Sequence, residues 1–249
     1  MRACARCQRR LRDVRSSGRR QWRTPGHCRL DINTGGAVAG YYIDATNDSH
    51  GYVRDAGGAF TTFESPGARG GAGGGTVGDS INAAGTTTGY YRSAGDVPSG
   101  FVRYPDGYIT TFGAPGAVQG TSAFSINAAG AIAGDYTDGN SISHGLVRAP
   151  NSAIDTFEPP DAAQGTVANS INAAGDISGY QDSSSVRHGF LRGADGNITT
   201  FDAPGAGTGA YEGTLSFGIN LPGVVVGYYR DVNDAYHGFL RLPGSAGPQ

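Results

Sequence analysis

The stretch Ser80-Ile81-Asn82-Ala83-Ala84-Gly85, with the Gly89-Tyr90-Tyr91 that follows it, recurs along the chain with small changes. The Ile-Asn pair returns at spacings of 45 to 49 residues, and its five copies begin at Ile32, Ile81, Ile126, Ile171 and Ile219. Repeats of this length are typical of four-stranded propeller blades and are longer than single-coil β-solenoid repeats. The pattern therefore predicts five copies of one β unit.

Each unit is predicted to contain four short strands separated by turn residues. Strand one ends in Ser-Ile-Asn, strand two runs into Gly-Tyr-Tyr, strand three is the His-Gly-Phe-Leu-Arg run, and strand four is Thr-Thr-Phe. Val, Ile, Thr, Tyr and Phe favour strands, whereas the Ala-Ala-Gly and Pro-Gly segments between them favour turns. One such sheet cannot bury both of its faces, so we expect neighbouring units to stack.

The number of strands predicts how the units are arranged. The chain has five copies of strands one to three, but only four copies of strand four follow them. Trp22-Arg23-Thr24-Pro25-Gly26 aligns with Phe201-Asp202-Ala203-Pro204-Gly205, which puts Trp22 at the strand-four aromatic position. We therefore predict an all-β fold in which residues 20–249 form a single five-bladed β-propeller of four-stranded blades. An N-terminal strand completes the last blade and closes the ring, which protects the sheet edges.

Composition and charge exclude several classes of protein. The 43 glycines disfavour long helices, and no apolar run approaches the roughly 18 residues of a membrane-spanning helix. Residues 1–30 carry ten arginines against Asp13 alone, whereas residues 31–249 carry nine arginines and twenty acids. An acidic body argues against nucleic-acid binding by the folded part. We interpret residues 1–19 as a basic, disordered tail that lacks the apolar stretch of a signal peptide.

The motifs Ile-Asn-x-x-Gly-x-x-x-Gly-Tyr and His-x-Phe-Leu resemble the repeats of the HAF family of extracellular bacterial proteins. The resemblance covers residues 22–242, and this chain has His-Gly-Phe where that family typically shows His-Ala-Phe. It implies β-propeller-like repeats and an exported protein, either extracellular or periplasmic. It implies no particular activity.

Four units place an aspartate six residues before a histidine, and the second unit has Ser99 instead. The pairs are Asp44 and His50, Asp138 and His144, Asp182 and His188, and Asp231 and His237. A carboxylate beside an imidazole can serve proton transfer, but an enzyme needs one such site rather than four. We therefore interpret these pairs as structural residues that satisfy hairpin or blade-to-blade hydrogen bonds.

Two sets of residues could in principle bind metals. The loops between the Asp-His pairs contain oxygen ligands that suit calcium, such as Asn47 and Asp48. Near the N-terminus, the number of ligands that a tetrahedral zinc requires is supplied by Cys4, Cys7, His27 and Cys28. Asp and Asn are also ordinary turn residues, and the cysteine spacing is unlike that of common zinc modules. We predict no bound metal and no cofactor.

The connections from strand four to the next strand one vary in length, and such variation on a constant scaffold is where function usually lies. Our hypothesis is a non-catalytic, monomeric binding module whose ligand is a glycan or a protein. The predicted contact residues are Tyr211 and Glu212 in an inserted loop, and Arg69. A glycan-cleaving enzyme is an alternative, which would need two carboxylates that break the repeat. A purely structural repeat protein is a third.

Overall fold

The computed structural model describes residues 31–244, and every regular element among them is a β-strand. Consecutive strands within a unit pair antiparallel, so that each unit is an up-and-down meander. The unit repeats along the described chain with the strand order that the sequence predicts. The all-β prediction is confirmed.

The strands have the following bounds. The first unit comprises β1 (Asp31–Ile32), β2 (Val38–Ile43), β3 (Ser49–Arg54) and β4 (Phe60–Phe63). The second comprises β5 (Gly75–Ile81), β6 (Thr87–Arg92), β7 (Pro98–Arg103) and β8 (Ile109–Phe112). The third comprises β9 (Gly120–Ile126), β10 (Ile132–Thr137), β11 (Ser143–Arg148) and β12 (Ile154–Phe157). The fourth comprises β13 (Gly165–Ile171), β14 (Ile177–Ser183), β15 (Val186–Arg192) and β16 (Ile198–Phe201). The fifth comprises β17 (Gly213–Ile219), β18 (Val225–Arg230) and β19 (Tyr236–Arg241).

The Asn-Ala-Ala-Gly segment forms the turn between strands one and two. The Asn82 Oδ1 atom accepts hydrogen bonds from the N–H groups of Ala84 at 3.1 Å and Thr86 at 3.0 Å. Gly85 follows with φ of 85°, a left-handed conformation that disfavours side chains. The turn therefore needs an asparagine at its start and a glycine near its end.

The amide group of the same asparagine links each unit to the next. The Nδ2 atom of Asn33 donates to the carbonyl oxygen of Asn82 at 3.0 Å, and Asn82 donates in the same way to Asn127 at 3.2 Å. The series continues from Asn127 to Asn172 and from Asn172 to Asn220, at 3.0 Å each. One side chain thus caps its own turn and fixes the position of the neighbouring unit.

The aromatic residue that ends strand four packs over a glycine of strand three. A Cβ atom added to Gly145 would lie 2.8 Å from the Phe157 ring, and Gly51, Gly100 and Gly189 have equivalent contacts. Phe157 also packs against Phe190 of the following unit, with ring centroids 5.8 Å apart, and lies 4.9 Å from the guanidinium carbon of Arg192. These contacts explain the Gly, Phe and Arg of the strand-three motif.

The last unit lacks this contact among the described residues. A Cβ atom at Gly238 would approach Gly227 O at 4.0 Å and no aromatic ring. Within residues 31–244, the Asn220 amide donates no hydrogen bond to Asn33, and Val226 is 45% exposed where its counterpart Ala133 is fully buried. The predicted closing strand around Trp22 and the predicted boundary between residues 19 and 20 lie outside the described residues. Closure by the N-terminus stays a prediction.

The glycine beneath the strand-four aromatic gives a test of the packing. We expect Gly145→Ala to lower the free energy of unfolding by about 1–3 kcal/mol, because the added methyl group overlaps the Phe157 ring and a well-packed core must shift. Urea unfolding followed by circular dichroism measures the change.

Gly139→Ala is the matched control. The new Cβ atom there would meet only Val118 Cγ2 at 3.8 Å, an ordinary contact, so the change should stay within about 0.5 kcal/mol. Equal losses in the two variants would contradict the proposed role of the Gly-Phe contact.

Candidate functional site

The two ends of the sheets differ, and we name them by their loops. The turn end carries the turns between strands one and two and between strands three and four. The connection end carries the loops between strands two and three and the connections from one unit to the next. The histidines lie in strand three beside the connection end, as His50 does in β3 and His144 does in β11.

In the first unit, the His50 ring lies between two carboxylates. Its Nε2 atom is 3.3 Å from Asp44 Oδ2, and its Nδ1 atom is 2.5 Å from Glu64 Oε1. The Tyr42 ring stacks on the imidazole with centroids 5.0 Å apart. Glu64 also accepts a hydrogen bond from the Thr76 hydroxyl of the second unit at 2.8 Å. The glutamate therefore connects the histidine of its own unit to strand one of the next.

The third unit repeats this arrangement. His144 Nε2 is 3.5 Å from Asp138 Oδ2, its Nδ1 atom contacts Glu158, and the Tyr136 ring stacks at 4.8 Å. Glu158 in turn accepts a hydrogen bond from the Thr166 hydroxyl of the fourth unit. The recurrence of the same network in separate units fits a role in joining units.

The fourth and fifth units keep only parts of the network. His188 Nδ1 lies 2.9 Å from Asp202 Oδ2, while Asp182 pairs instead with Arg187 Nε at 3.3 Å. Asp182 is therefore engaged by the arginine beside the histidine and not by His188. In the fifth unit, His237 Nε2 is 2.9 Å from Asp231 Oδ2 and stacks on Tyr229. The aspartate thus contacts the histidine in three of the four units that have both, and the structural role of these residues stays a prediction.

Sequence reasoning missed the second acid of each network. These acids directly follow the strand-four aromatic, as Phe63-Glu64, Phe157-Glu158 and Phe201-Asp202. A signal for them exists in the sequence. The second unit, which has Ser99 in place of the histidine, also has Gly113 in place of the acid. The joint loss of both residues indicates that they act together.

Hydrogen bonds hold the aspartates in their charged form. Chiefly the N–H of Asp48, with the Thr46 hydroxyl next, lowers the pKa of Asp44 to about 2. The N–H of Ile142 is the main cause of the lowered pKa of Asp138. Burial alone would lower the pKa of His50, but its hydrogen bonds to Glu64 and Asp44 outweigh burial and raise it. These carboxylates are therefore engaged in hydrogen bonds to their own loops and to histidine.

The predicted contact residues lie at two different junctions of the connection end. Tyr211 is 63% exposed, and its N–H donates to Ser185 O at 2.7 Å. The carboxylate of Glu212 turns inward and accepts the N–H of Gly209 at 2.7 Å. Arg69 belongs to the connection between the first and second units, where its Nη2 atom is 2.9 Å from Asp96 Oδ1. The structure therefore does not bring Arg69 into one site with Tyr211 and Glu212.

Those two junctions have the same backbone path. We call residues 69–75 the first long connection and residues 207–213 the second. Gly73 N donates to Asn47 O at 2.8 Å, as Tyr211 N does to Ser185 O. Gly74 O accepts from Ser49 N at 3.1 Å, as Glu212 O does from Arg187 N. Each connection ends in a parallel bridge to strand three, Ser49 with Gly75 and Arg187 with Gly213.

A small cleft of about 100 Å³ lies beside the first long connection. Tyr41, Ile43 and Ser49 of the first unit line it together with glycines 73–75, and the second unit contributes Val77, Tyr90 and Arg92. Sites for drug-sized ligands typically measure about 300–1,000 Å³, so this cleft suits a single ring or a side-chain-sized group.

The described residues also bear on the possible metal sites and on membrane-spanning helices. Within residues 31–244, no group of three or more His, Cys, Asp and Glu side chains is arranged to hold a metal ion. The cysteines and His27 of the zinc alternative lie outside that range. No helix of the described part is long and apolar enough to cross a membrane.

Comparison with known proteins supports the fold. No protein-family model matches the chain, and no curated protein sequence is significantly similar to it. TolB from Acinetobacter baumannii superimposes with a TM-score of 0.52 at 12% identity, over 88% of this chain and 54% of that one. The chain thus spans about half the length of TolB.

A fungal lectin from Aleuria aurantia, whose crystal structure is a six-bladed β-propeller, superimposes with a TM-score of 0.50 at 11% identity. The match covers 88% of this chain and 76% of the lectin. The likeness shows a propeller-type fold. Because that lectin has six blades, the number five stays a prediction.

The raised pKa of His50 predicts a pH-dependent contribution to stability. A group whose pKa is raised by folding stabilises the protein fully below its unfolded pKa of about 6.5, and this contribution is lost as the pH rises through the folded value. We expect His50→Gln to lower the free energy of unfolding by up to about 1 kcal/mol near pH 5.5, since the pair is partly exposed, and by less near pH 8.5.

Chemical denaturation of both proteins at the two pH values measures this difference. Ser99→Ala, at the corresponding position of the second unit, is the control and should show the same effect at both. A cost of His50→Gln that grows with pH would contradict the assignment.

Proposed function

We propose that this chain is a non-catalytic binding module that binds a glycan ligand through the connection end of a rigid propeller. The observation that carries the proposal is how the polar side chains at this end are used. The acids and histidines of the Asp-His-Glu networks and the Glu212 carboxylate are engaged in bonds within and between units, while Tyr211 and the cleft beside the first long connection remain accessible.

The use of these acids favours binding over catalysis. A glycosidase needs one carboxyl group kept protonated and a second at a set distance from it. Asp44, Asp138 and Asp231 instead have lowered pKa values that hydrogen bonds cause, and the Glu212 carboxylate accepts from its own loop. The fungal lectin, a six-bladed β-propeller that recognises fucose, is a precedent for glycan binding on a propeller.

We further propose that the five units close into a five-bladed ring, with Trp22 in the strand-four position of the last blade. Two gaps among the described residues support this. No aromatic ring of these residues lies over Gly238, and none of them accepts a hydrogen bond from the Asn220 amide. The equivalent glycine and asparagine of the other four units have both contacts. The resemblance to HAF repeats supports an exported protein that meets its ligand outside the cytoplasm, and we propose that it does so as a monomer. Under this hypothesis a protein ligand is the alternative to a glycan.

A glycan array with the purified full chain tests the binding proposal. We expect binding to a defined set of glycans, weakened about tenfold or more by at least one of the variants Arg69→Ala, Tyr211→Ala and Glu212→Ala, which tell apart the two junctions of the connection end. Ala83→Glu and Ala128→Glu, both at the turn end, are the controls and should bind like the unchanged protein. Binding that is lost only with the turn-end variants would refute the choice of end, and an array without any bound glycan would refute the ligand class.

Ring closure has a separate test. If Trp22 lies over Gly238, Trp22→Ala and Gly238→Ala should each destabilise the protein by about 1–3 kcal/mol or more, and the double variant should lose less than the sum of the two. Thermal and urea unfolding of the three variants supplies the numbers. Unchanged stability in both single variants would exclude closure by this residue.

A further inference from the structure

We infer that the cleft beside the first long connection is a binding site for one neutral sugar residue, and that the chain's own Arg187 fills the equivalent cleft at the junction of the fourth and fifth units. The inference rests on the proposed function, because it takes a glycan as the ligand. It adds the site, the number of sugar residues held there and the reason why the other long connection offers no such cleft.

Register establishes which residues correspond at the two junctions. Ile43 pairs with Ser49 across β2 and β3, and Asp182 pairs with Arg187 across β14 and β15. Gly75 pairs with Arg92 in the second unit, and Gly213 pairs with Arg230 in the fifth. The corresponding pairs of residues are therefore Tyr41 and Tyr180, Ile43 and Asp182, Ser49 and Arg187, Gly73 and Tyr211, Tyr90 and Tyr228, and Arg92 and Arg230.

At the junction of the fourth and fifth units, which we call the fourth junction, the planar guanidinium group of Arg187 occupies the position of the cleft. The guanidinium carbon of Arg187 lies 5.7 Å from the centroid of the Tyr180 ring and 5.9 Å from that of Tyr211. Its Nε atom is 3.3 Å from Asp182 Oδ1. Two aromatic rings and one carboxylate are the features that hold a cation. The chain therefore supplies both the cation, Arg187, and the side chains that hold it.

At the first junction, Tyr41 keeps the place of Tyr180, but the other three side chains differ. Ser49 is too short to fill the space, Ile43 carries no charge, and Gly73 has no ring. The result is the cleft of about 100 Å³. The loss of the carboxylate and of the second ring removes what would favour a cation. Arg92 keeps its charge and shares Asp96 with Arg69, because Asp96 Oδ1 lies 3.6 Å from Arg92 Nη1 and 2.9 Å from Arg69 Nη2.

The cleft that remains is amphipathic, and Arg92 is its one charged lining residue. Tyr41, Tyr90, Ile43 and Val77 provide aromatic and aliphatic surface, while the Ser49 hydroxyl and the Arg92 guanidinium provide hydrogen-bonding groups. A ligand that matches it has an apolar face and several hydroxyl groups, and it carries no positive charge. Its volume limits that ligand to one ring. A single neutral sugar residue of a glycan has all of these properties.

The glycines of the first long connection keep the cleft in shape. A Cβ atom at Gly75 would lie 1.9 Å from Ser49 O, and one at Gly74 would lie 2.4 Å from Arg69 O. Both contacts are with backbone atoms, so the wall cannot yield without moving the strand beside it. Variants at these glycines would disturb the fold, and a test must therefore use the side chains that line the cleft.

The decisive variant fills the cleft as the fourth junction is filled. Ser49→Arg combined with Ile43→Asp reproduces the Arg187 and Asp182 pair at the first junction. We expect it to weaken binding of the preferred sugar by about tenfold or more, with the urea unfolding curve unchanged. The probes are the uncharged methyl glycosides of fucose, mannose, galactose and glucose, titrated calorimetrically against the full chain.

Ser143→Arg is the matched control, because Ser143 occupies the position of Ser49 in the third unit, where the connection is short. Its binding should equal that of the unchanged protein. If the filled variant binds as well as the unchanged protein, or if Ser143→Arg weakens binding to the same extent, the assignment of the cleft is wrong while glycan binding itself stands. If the unchanged protein binds no glycan on the array, the proposed function fails first.

The reverse change supplies an independent test. Arg187→Ser with Asp182→Ile and Tyr211→Gly converts the fourth junction to the sequence of the first. Tyr211 already has φ of 63°, a conformation that glycine adopts readily. We expect the folded variant to bind two sugars per chain instead of one, as measured by the stoichiometry of the titration. A folded variant that still binds one sugar would refute the equivalence of the two junctions.

Discussion

A single asparagine side chain at the end of strand one couples the local turn to the assembly of units. Its carbonyl oxygen accepts the N–H groups of its own turn, as Asn82 does for Ala84 and Thr86. Its amide donates to the backbone of the next unit. Replacing it would leave buried backbone groups of two units without partners, which is costly for polar groups away from water. The Gly-Phe-Arg contacts between sheets occur at the same spacing of units that this ladder of hydrogen bonds holds.

At the connection end of this scaffold, some side chains join neighbouring units and others make the junctions differ. Where the Asp-His-Glu network is complete, in the first and third units, its acids tie neighbouring units together. Differences between the junctions then depend on a few positions beside strand three and in the long connections. Ser49 leaves a space where Arg187 fills one, although the backbone around them has the same hydrogen bonds. The difference between the two junctions is therefore set by which side chains the common backbone carries.

Much of this could be predicted from the sequence, and the reasons for the rest are physical. The strands and turns follow from a period that repeats with its Asn and Gly at fixed offsets, and these are local signals. The partner acids Glu64 and Glu158 lie fourteen residues from their histidines, and only the pairing of β3 with β4 and of β11 with β12 brings them together. The Asp182 carboxylate pairs with Arg187, one residue from His188, and the spacing of Asp and His in the sequence does not reveal this competition. The cleft depends on two units at once, so no pattern within one repeat could indicate it.

The exposed face of the fifth unit has a consequence for cooperativity. In an array where each unit touches only its neighbours, stability is a sum of unit and interface contributions, and the terminal units, with one neighbour each, open most easily. Val226 at 45% exposure and the fully buried Ala133 mark that difference between the end and the middle. A segment that joins the two ends would remove both weak points together. Its effect on unfolding would then exceed the energy of its own contacts, since a ring has no terminal unit from which to fray.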